Sequence, residues 1–252
     1  MNRLLKAVIR YDGAPFSGWQ IQPGRRTVQG DIEAALSRIA SAPIRIHGAG
    51  RTDAGVHALG QVCSFTWPGD HALERLRRSL SKMLSPDVQI TRLDEAPAGF
   101  DARRSARAKR YAYAFALSRE PDPLSARYAW CVPWPVDLDR LAALATRFVG
   151  RRDFAGFQSS GASVETTVRT LHAVAVEPGG VIAPLDAAAL WRLTFHGDGF
   201  LYKMVRNLTG TLIDVARGRL PETRIDELLA SPGPFHGHTA PAHGLTLLEV
   251  IY

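Results

Sequence analysis

Cysteine is almost missing from this chain: Cys63 and Cys131 are the only two in 252 residues. Two thiols exclude a disulfide framework and a cysteine-based zinc site, and they suit a reducing compartment. No run of eighteen apolar residues occurs, which excludes a membrane-spanning helix. Residues 1–6 lead into no apolar stretch or cleavage site, so a secretion signal is not expected and a cytoplasmic location is. The GxxxxGK[ST] phosphate loop is absent, as is the HExxH spacing of a zinc hydrolase. With 46% hydrophobic and 22% charged residues, neither disorder nor a fibrous repeat is indicated. The length allows one large domain or two small ones.

What is abundant is arginine. Thirty-one basic against twenty-four acidic residues give a net charge of +7, and arginine outnumbers lysine 27 to 4. Guanidinium groups bind phosphate bidentately and stack on bases, which favours a nucleic-acid partner, although a GC-rich genome also enriches arginine. The distribution is more specific than the total. From Arg103 to Arg110, five of eight residues are basic: Arg103, Arg104, Arg107, Lys109 and Arg110. Tyr111 and Tyr113 follow directly, and cations beside stacking rings suit a single-stranded or looped RNA.

Periodicity divides the chain into two halves with the same element order. A strand is predicted at Arg3–Tyr11, a helix after Thr27, a short strand at Ile44–His47 and a strand at Gln61–Trp67. A helix capped by Asp70 and a strand at Val88–Leu93 complete the first half. The second half reads as a strand at Lys109–Leu117, a helix capped by Asp137, strands at Thr170–Val176 and Leu190–Phe195, and a helix at Tyr202–Ala216. A short helix at Glu222–Leu229 and a closing strand at Leu245–Ile251 follow. Each half is β-α-β-β-α-β, the split βαβ unit of ferredoxin-like and RRM-like domains. The expected fold is therefore α+β. Two such subdomains, 1–104 and 105–252, would form a continuous, mostly antiparallel sheet with helices on one face. Residues 95–104 read as the junction, and 178–184 and 231–243 as mobile loops.

Three clusters could carry chemistry. The loop Gly48–Gly60 holds four glycines in thirteen residues, which lets its backbone turn sharply and approach a ligand. Within it, Asp53 stands two residues from Arg51. A carboxylate beside a guanidinium stays ionised and oriented, which suits a nucleophile or base better than a general acid. The second cluster is Arg206, in the first turn of the late helix and opposite its apolar stripe of Met204, Leu208, Leu212 and Val215. The third comprises His236, His238 and His243, which lack the spacing and companion ligands of a metal site.

The run Gly50-Arg51-Thr52-Asp53-Ala54-Gly55-Val56-His57-Ala58 resembles the catalytic motif of the TruA family of tRNA pseudouridine synthases at every defining position. Tyr11-Asp12-Gly13, Gly18-Trp19-Gln20 and Thr27-Val28-Gln29 precede it in the family's order. Phe100-Asp101-Ala102-Arg103 and Arg110-Tyr111-Ala112-Tyr113 are similar to the central block. Met204-Val205-Arg206-Asn207 and Gly244-Leu245 are similar to the late helix and closing strand. Ala216, where the family usually has glycine, departs from the pattern without touching the proposed chemistry.

The resemblance implies isomerisation of uridine to pseudouridine at positions 38, 39 and 40 of the tRNA anticodon stem-loop, by a homodimer with no metal or organic cofactor. It implies Asp53 as the nucleophile, attacking the sugar or the base or promoting elimination, with the target uridine flipped from its stack. Arg51 would fill the vacated space or hold phosphate, Arg206 would pair with Asp53, and Tyr111 would stack on the uracil. The basic residues Arg103, Arg104, Arg107, Lys109 and Arg110 would follow the RNA backbone. Two rivals remain from the residues alone: a non-catalytic RNA-binding module, and a hydrolase acting on small nucleosides.

Overall fold

The computed structural model describes residues 2–120, 122–161, 164–182 and 190–252, so part of the loop expected at 178–184 lies outside the described residues. In chain order the elements are β1 (Arg3–Tyr11), α1 (Val28–Ala40), β2 (His47–Gly48), β3 (His57–Trp67), α2 (Leu73–Leu84) and β4 (Val88–Glu95). They continue with β5 (Ala108–Leu117), β6 (Trp130–Val132), α3 (Leu138–Thr146), β7 (Gly150–Asp153), β8 (Val168–Pro178) and β9 (Leu190–Gly197). The chain closes with α4 (Met204–Ala216), α5 (Thr223–Ala230) and β10 (Leu245–Ile251). The expected fold class is borne out: ten strands, mostly antiparallel, with five α-helices among the described residues. The chain divides into two compact units, 1–107 with 247–252, and 108–246. The closing residues therefore belong with the first unit, a return that chain order alone does not suggest.

In the first unit the strand order is β4-β1-β3-β10, with β2 hydrogen-bonded to β3. β1 is antiparallel to both neighbours and pairs Ala7 with Cys63 on one side and Leu93 on the other. Its alternation sends Leu5, Ala7, Ile9 and Tyr11 inward as fully buried side chains. The Thr27 hydroxyl caps α1 by accepting from the Gly30 amide at 3.2 Å, and the helix buries Val28, Ile32, Ala35 and Leu36. Burying each of the Val, Ile and Leu side chains contributes roughly 1.5–3 kcal/mol. The second face of this sheet is also covered. Ala49, Val62 and Ala102 form a small core there, with Phe100, Val250 and Tyr252 packed against it.

Two details differ from the periodicity. The strand expected at Ile44–His47 is reduced to His47–Gly48, because side chains of α1 take its backbone amides. Ser37 Oγ accepts from Ile44 at 2.9 Å, and Glu33 accepts from Ile46 at 3.1 Å. Asp70 does not cap α2: the N-cap is Ala72, with no side-chain hydrogen bond.

In the second unit the order is β5-β9-β8-β7, with β6 parallel to β5. β5 is buried on both faces: Tyr111, Tyr113 and Phe115 line one, and Ala112 and Ala114 the other. The alanines are small because Ala129 and Leu190 pack directly on that side. Asp137 caps α3 as expected, accepting from the Arg140 amide at 2.9 Å. α4 is not the one-sided helix its apolar stripe suggests. Every residue from Met204 to Ala216 is buried except Arg206. Such all-round burial is why polar Asn207, Thr209, Thr211 and Asp214 sit inside it, each requiring a partner.

Candidate active site

The first unit presents the Asp53 loop. Its shape depends on glycine at two outside positions. A Cβ on Gly18 would lie 2.7 Å from the Thr52 carbonyl oxygen, and Gly18 has φ +95°. A Cβ on Gly13 would lie 2.1 Å from the Val56 carbonyl oxygen. Backbone therefore presses on backbone on either side of Asp53. The Trp19 amide donates to the Thr52 carbonyl at 3.0 Å, and the Val56 amide donates to the Asp53 carbonyl at 3.2 Å. Gly55, at φ +78°, completes that tight turn.

Side chains reinforce it from below. The Tyr11 and Thr52 hydroxyls meet at 2.8 Å in a buried contact, and Gln61 Nε2 donates to the Gly50 carbonyl at 3.0 Å. Burial pushes the Tyr11 phenol up to about 12, so it remains a neutral hydrogen-bonding support. His57 is fully buried, with Nδ1 accepting from the Gly13 amide at 3.0 Å. Upon this base Asp53 is half-buried and Arg51 exposed. A carboxylate held on a rigid turn at the edge of solvent can be offered to a ligand without a conformational search.

The second unit carries Tyr111 and Arg206. The Tyr111 ring is buried on β5 and meets Phe200 edge-on, with centroids 5.0 Å apart at 78°. Arg206 is the third residue of α4, which begins after Lys203 in the left-handed region at φ 57°. Its Nε donates to the Ala240 carbonyl at 2.8 Å, and its own carbonyl accepts from the Ala240 amide at 3.1 Å. Beside it, the Tyr113 hydroxyl donates to the Pro241 carbonyl at 2.8 Å. Burial raises the Tyr113 phenol well above its ordinary value, opposed by the charge of Arg206. Half-buried His243 is lowered chiefly by desolvation, which favours the neutral imidazole near pH 7.

The basic run is distributed over both units. Arg103, Arg104 and Arg107 are exposed in the first, and Arg110 is exposed in the second, where Lys109 is half-buried. Adjacent strand positions place Lys109 and Arg110 on opposite faces of β5, so these two do not form one stripe. Asp101 organises the start of the run by accepting from the amides of Arg103 and Arg104 at 2.9 and 2.7 Å. Those bonds hold its carboxyl below the usual range. Among the described residues, no group of three or more His, Cys, Asp or Glu could hold a metal ion. No described helix is long and apolar enough to cross a membrane.

Asp53, Arg51 and Arg206 stand out in the sequence by their chemistry, but their supports do not. Tyr11 and Thr52 are separated by 41 positions, and only the β1–β3 pairing brings their hydroxyls together. Asn207, adjacent to Arg206, is likewise a support whose partners lie far along the chain.

Comparison with known proteins gives this geometry its class. The family model described as tRNA pseudouridine synthase matches residues 7–103 and 144–252, which include the Asp53 loop and α4. The class is thus that of enzymes that isomerise uridine in tRNA. A tRNA pseudouridine synthase A of Streptococcus mutans is 43% identical over 249 residues, covering 98% of either chain. That of Brevibacillus brevis is 40% identical over 249 residues, covering 98% of this chain and 99% of its own. That of Geotalea uraniireducens is 39% identical over 251 residues, 99% of this chain and all of its own. The chain belongs to the TruA family of tRNA pseudouridine synthases.

Proposed function

We propose that this synthase converts uridines at positions 38, 39 and 40 of the tRNA anticodon stem-loop, using Asp53 on a base flipped out of its stack. The N1–C1′ bond of the target breaks and a C5–C1′ bond forms. The C5 hydrogen leaves as a proton and N1 takes one up, so no electrons are gained or lost. In this reading Asp53 is the nucleophile, and Arg206 pairs with it. Tyr111 stacks on the uracil, and Arg51 holds phosphate or fills the space the base has left. Arg103, Arg104, Arg107, Lys109 and Arg110 contact the RNA backbone. Family resemblance supports a homodimer and a reaction without a metal or organic cofactor.

The observation that carries the reading is the support of Asp53. The only carboxylate in the Gly48–Gly60 loop sits half-exposed on a turn held by Trp19, Tyr11, Gly13 and Gly18. A non-catalytic RNA binder has no use for a carboxylate presented on so firmly held a turn. The test is tritium release from tRNA carrying uridine labelled at C5, comparing wild type with Asp53→Asn. Release by wild type alone, with tRNA binding retained by the variant, is expected. Equal release by both would remove Asp53 from the chemistry. Loss of release on replacing the uridines at positions 38–40 tests the choice of target.

A further inference from the structure

We infer that Asn207 and Thr239 are positioning residues that hold the Arg206 guanidinium at the start of α4 through the segment His238–Pro241. The inference rests on the catalytic role proposed for Arg206. The sequence suggests a mobile connection across 231–243, with its prolines and glycines, yet four successive residues of it are tied down. A Cβ on Gly210 would lie 1.8 Å from the His238 carbonyl oxygen, so that part of the segment lies directly on α4. The Thr239 hydroxyl donates to Asn207 Oδ1 at 2.7 Å. Ala240 is bound twice to Arg206, accepting from its Nε at 2.8 Å and donating to its carbonyl at 3.1 Å. Pro241 accepts from the Tyr113 hydroxyl at 2.8 Å.

Asn207 links these contacts to the core. It is fully buried, and its amide nitrogen donates to the Phe157 carbonyl at 2.9 Å and meets Ser159 Oγ at 3.1 Å. Two donors and one acceptor are thereby engaged, which leaves the amide one orientation. That orientation presents Oδ1 to Thr239, and Thr239 sets the position of the next carbonyl, the one to which Arg206 binds. A guanidinium on a long side chain loses much rotamer freedom when fixed, and a placed carbonyl selects one of its rotamers. Removing the Thr239 hydroxyl leaves α4 and the other ties of the segment in place but loosens the carbonyl that orients the cation.

Thr239→Val keeps the shape and deletes only the hydroxyl. It is expected to lower kcat about tenfold while KM for tRNA changes less than about twofold, the size of effect that loss of one buried hydrogen bond gives. Thr239→Ser, which keeps the hydroxyl, restores kcat to within about twofold of wild type. In the Arg206→Gln background the same Thr239→Val change is expected to cost nothing further, because the group it positions is gone. Equal losses in both backgrounds, or a rise in KM with kcat unchanged, overturn the inference while leaving the role of Arg206 intact. Full activity of Arg206→Gln overturns that role, and the inference with it. Melting curves confirm that each variant is folded before its rates are compared.

Discussion

The Trp19 amide and the Thr52 carbonyl are joined at 3.0 Å across a gap that Gly18 keeps open. That bond fastens the residue before Asp53 to the connection between β1 and α1. Any side chain at position 18 must displace one of the two. Gly18→Ala combines an unfavourable φ with a collision against backbone, whereas Gly24→Ala, at φ +67°, meets nothing within 4 Å. Strain alone costs about 1–3 kcal/mol. Both variants should therefore lose some stability in denaturant titration, but only Gly18→Ala should also lose activity, on the order of a hundredfold in kcat. Similar kcat values for the two variants would show that the loop tolerates displacement.

Tyr11 and Thr52 allow a second test. Tyr11→Phe removes one hydroxyl of a buried pair and should destabilise the protein by about 1–2 kcal/mol. The pH dependence has a defined sign. With its folded value near 12 and its ordinary value near 10, Tyr11 keeps its proton in the folded state where the unfolded chain releases it. Its stabilising effect is thus complete below pH 10 and is lost as pH rises towards 12, at up to about 1.4 kcal/mol per pH unit. Tyr11→Phe should flatten this alkaline decline in part, since Tyr113 is shifted in the same direction. An unchanged slope in the variant would show that Tyr11 does not contribute to it.

Much of this was readable from local sequence, and the exceptions have physical causes. β1, α1, α4 and the Asp53 loop follow from alternation, capping by Thr27 and glycine spacing. The strand predicted at Ile44–His47 forms only at His47–Gly48, because the Ile44 and Ile46 amides are taken by Ser37 and Glu33, a tertiary choice that strand propensity does not register. β6 and β7, at three and four residues, are too short to show a period. Arg206 could be seen to leave the apolar stripe of α4. The need of Asn207 for partners at Phe157 and Thr239 could not, because those residues lie 50 and 32 positions away.

Tyr111 separates ring from hydroxyl. Phenylalanine at this position keeps the ring and its edge-on contact with Phe200, whereas alanine removes the ring altogether. If stacking on the uracil is the role of Tyr111, Tyr111→Ala should lower kcat/KM by one to two orders of magnitude more than Tyr111→Phe, as base–aromatic stacking is worth about 1–3 kcal/mol. Tritium release at subsaturating tRNA measures the difference. Equal losses would assign the role to the hydroxyl.

Arg103 and Arg104 carry the last prediction. Their amides hold Asp101 while their side chains are exposed, so truncating either side chain leaves the backbone arrangement intact. A cation that contacts phosphate releases about one counterion from the RNA, and its loss reduces the dependence of log affinity on log salt by roughly one. Arg103→Ala and Arg104→Ala should each weaken tRNA binding at low salt, lower that slope and leave kcat at saturating tRNA unchanged. Two arginines acting independently would have additive effects in the double variant. Salt titrations with a wild-type slope in both variants would place the phosphate contacts elsewhere, and Arg107 and Arg110 would be the next side chains to truncate.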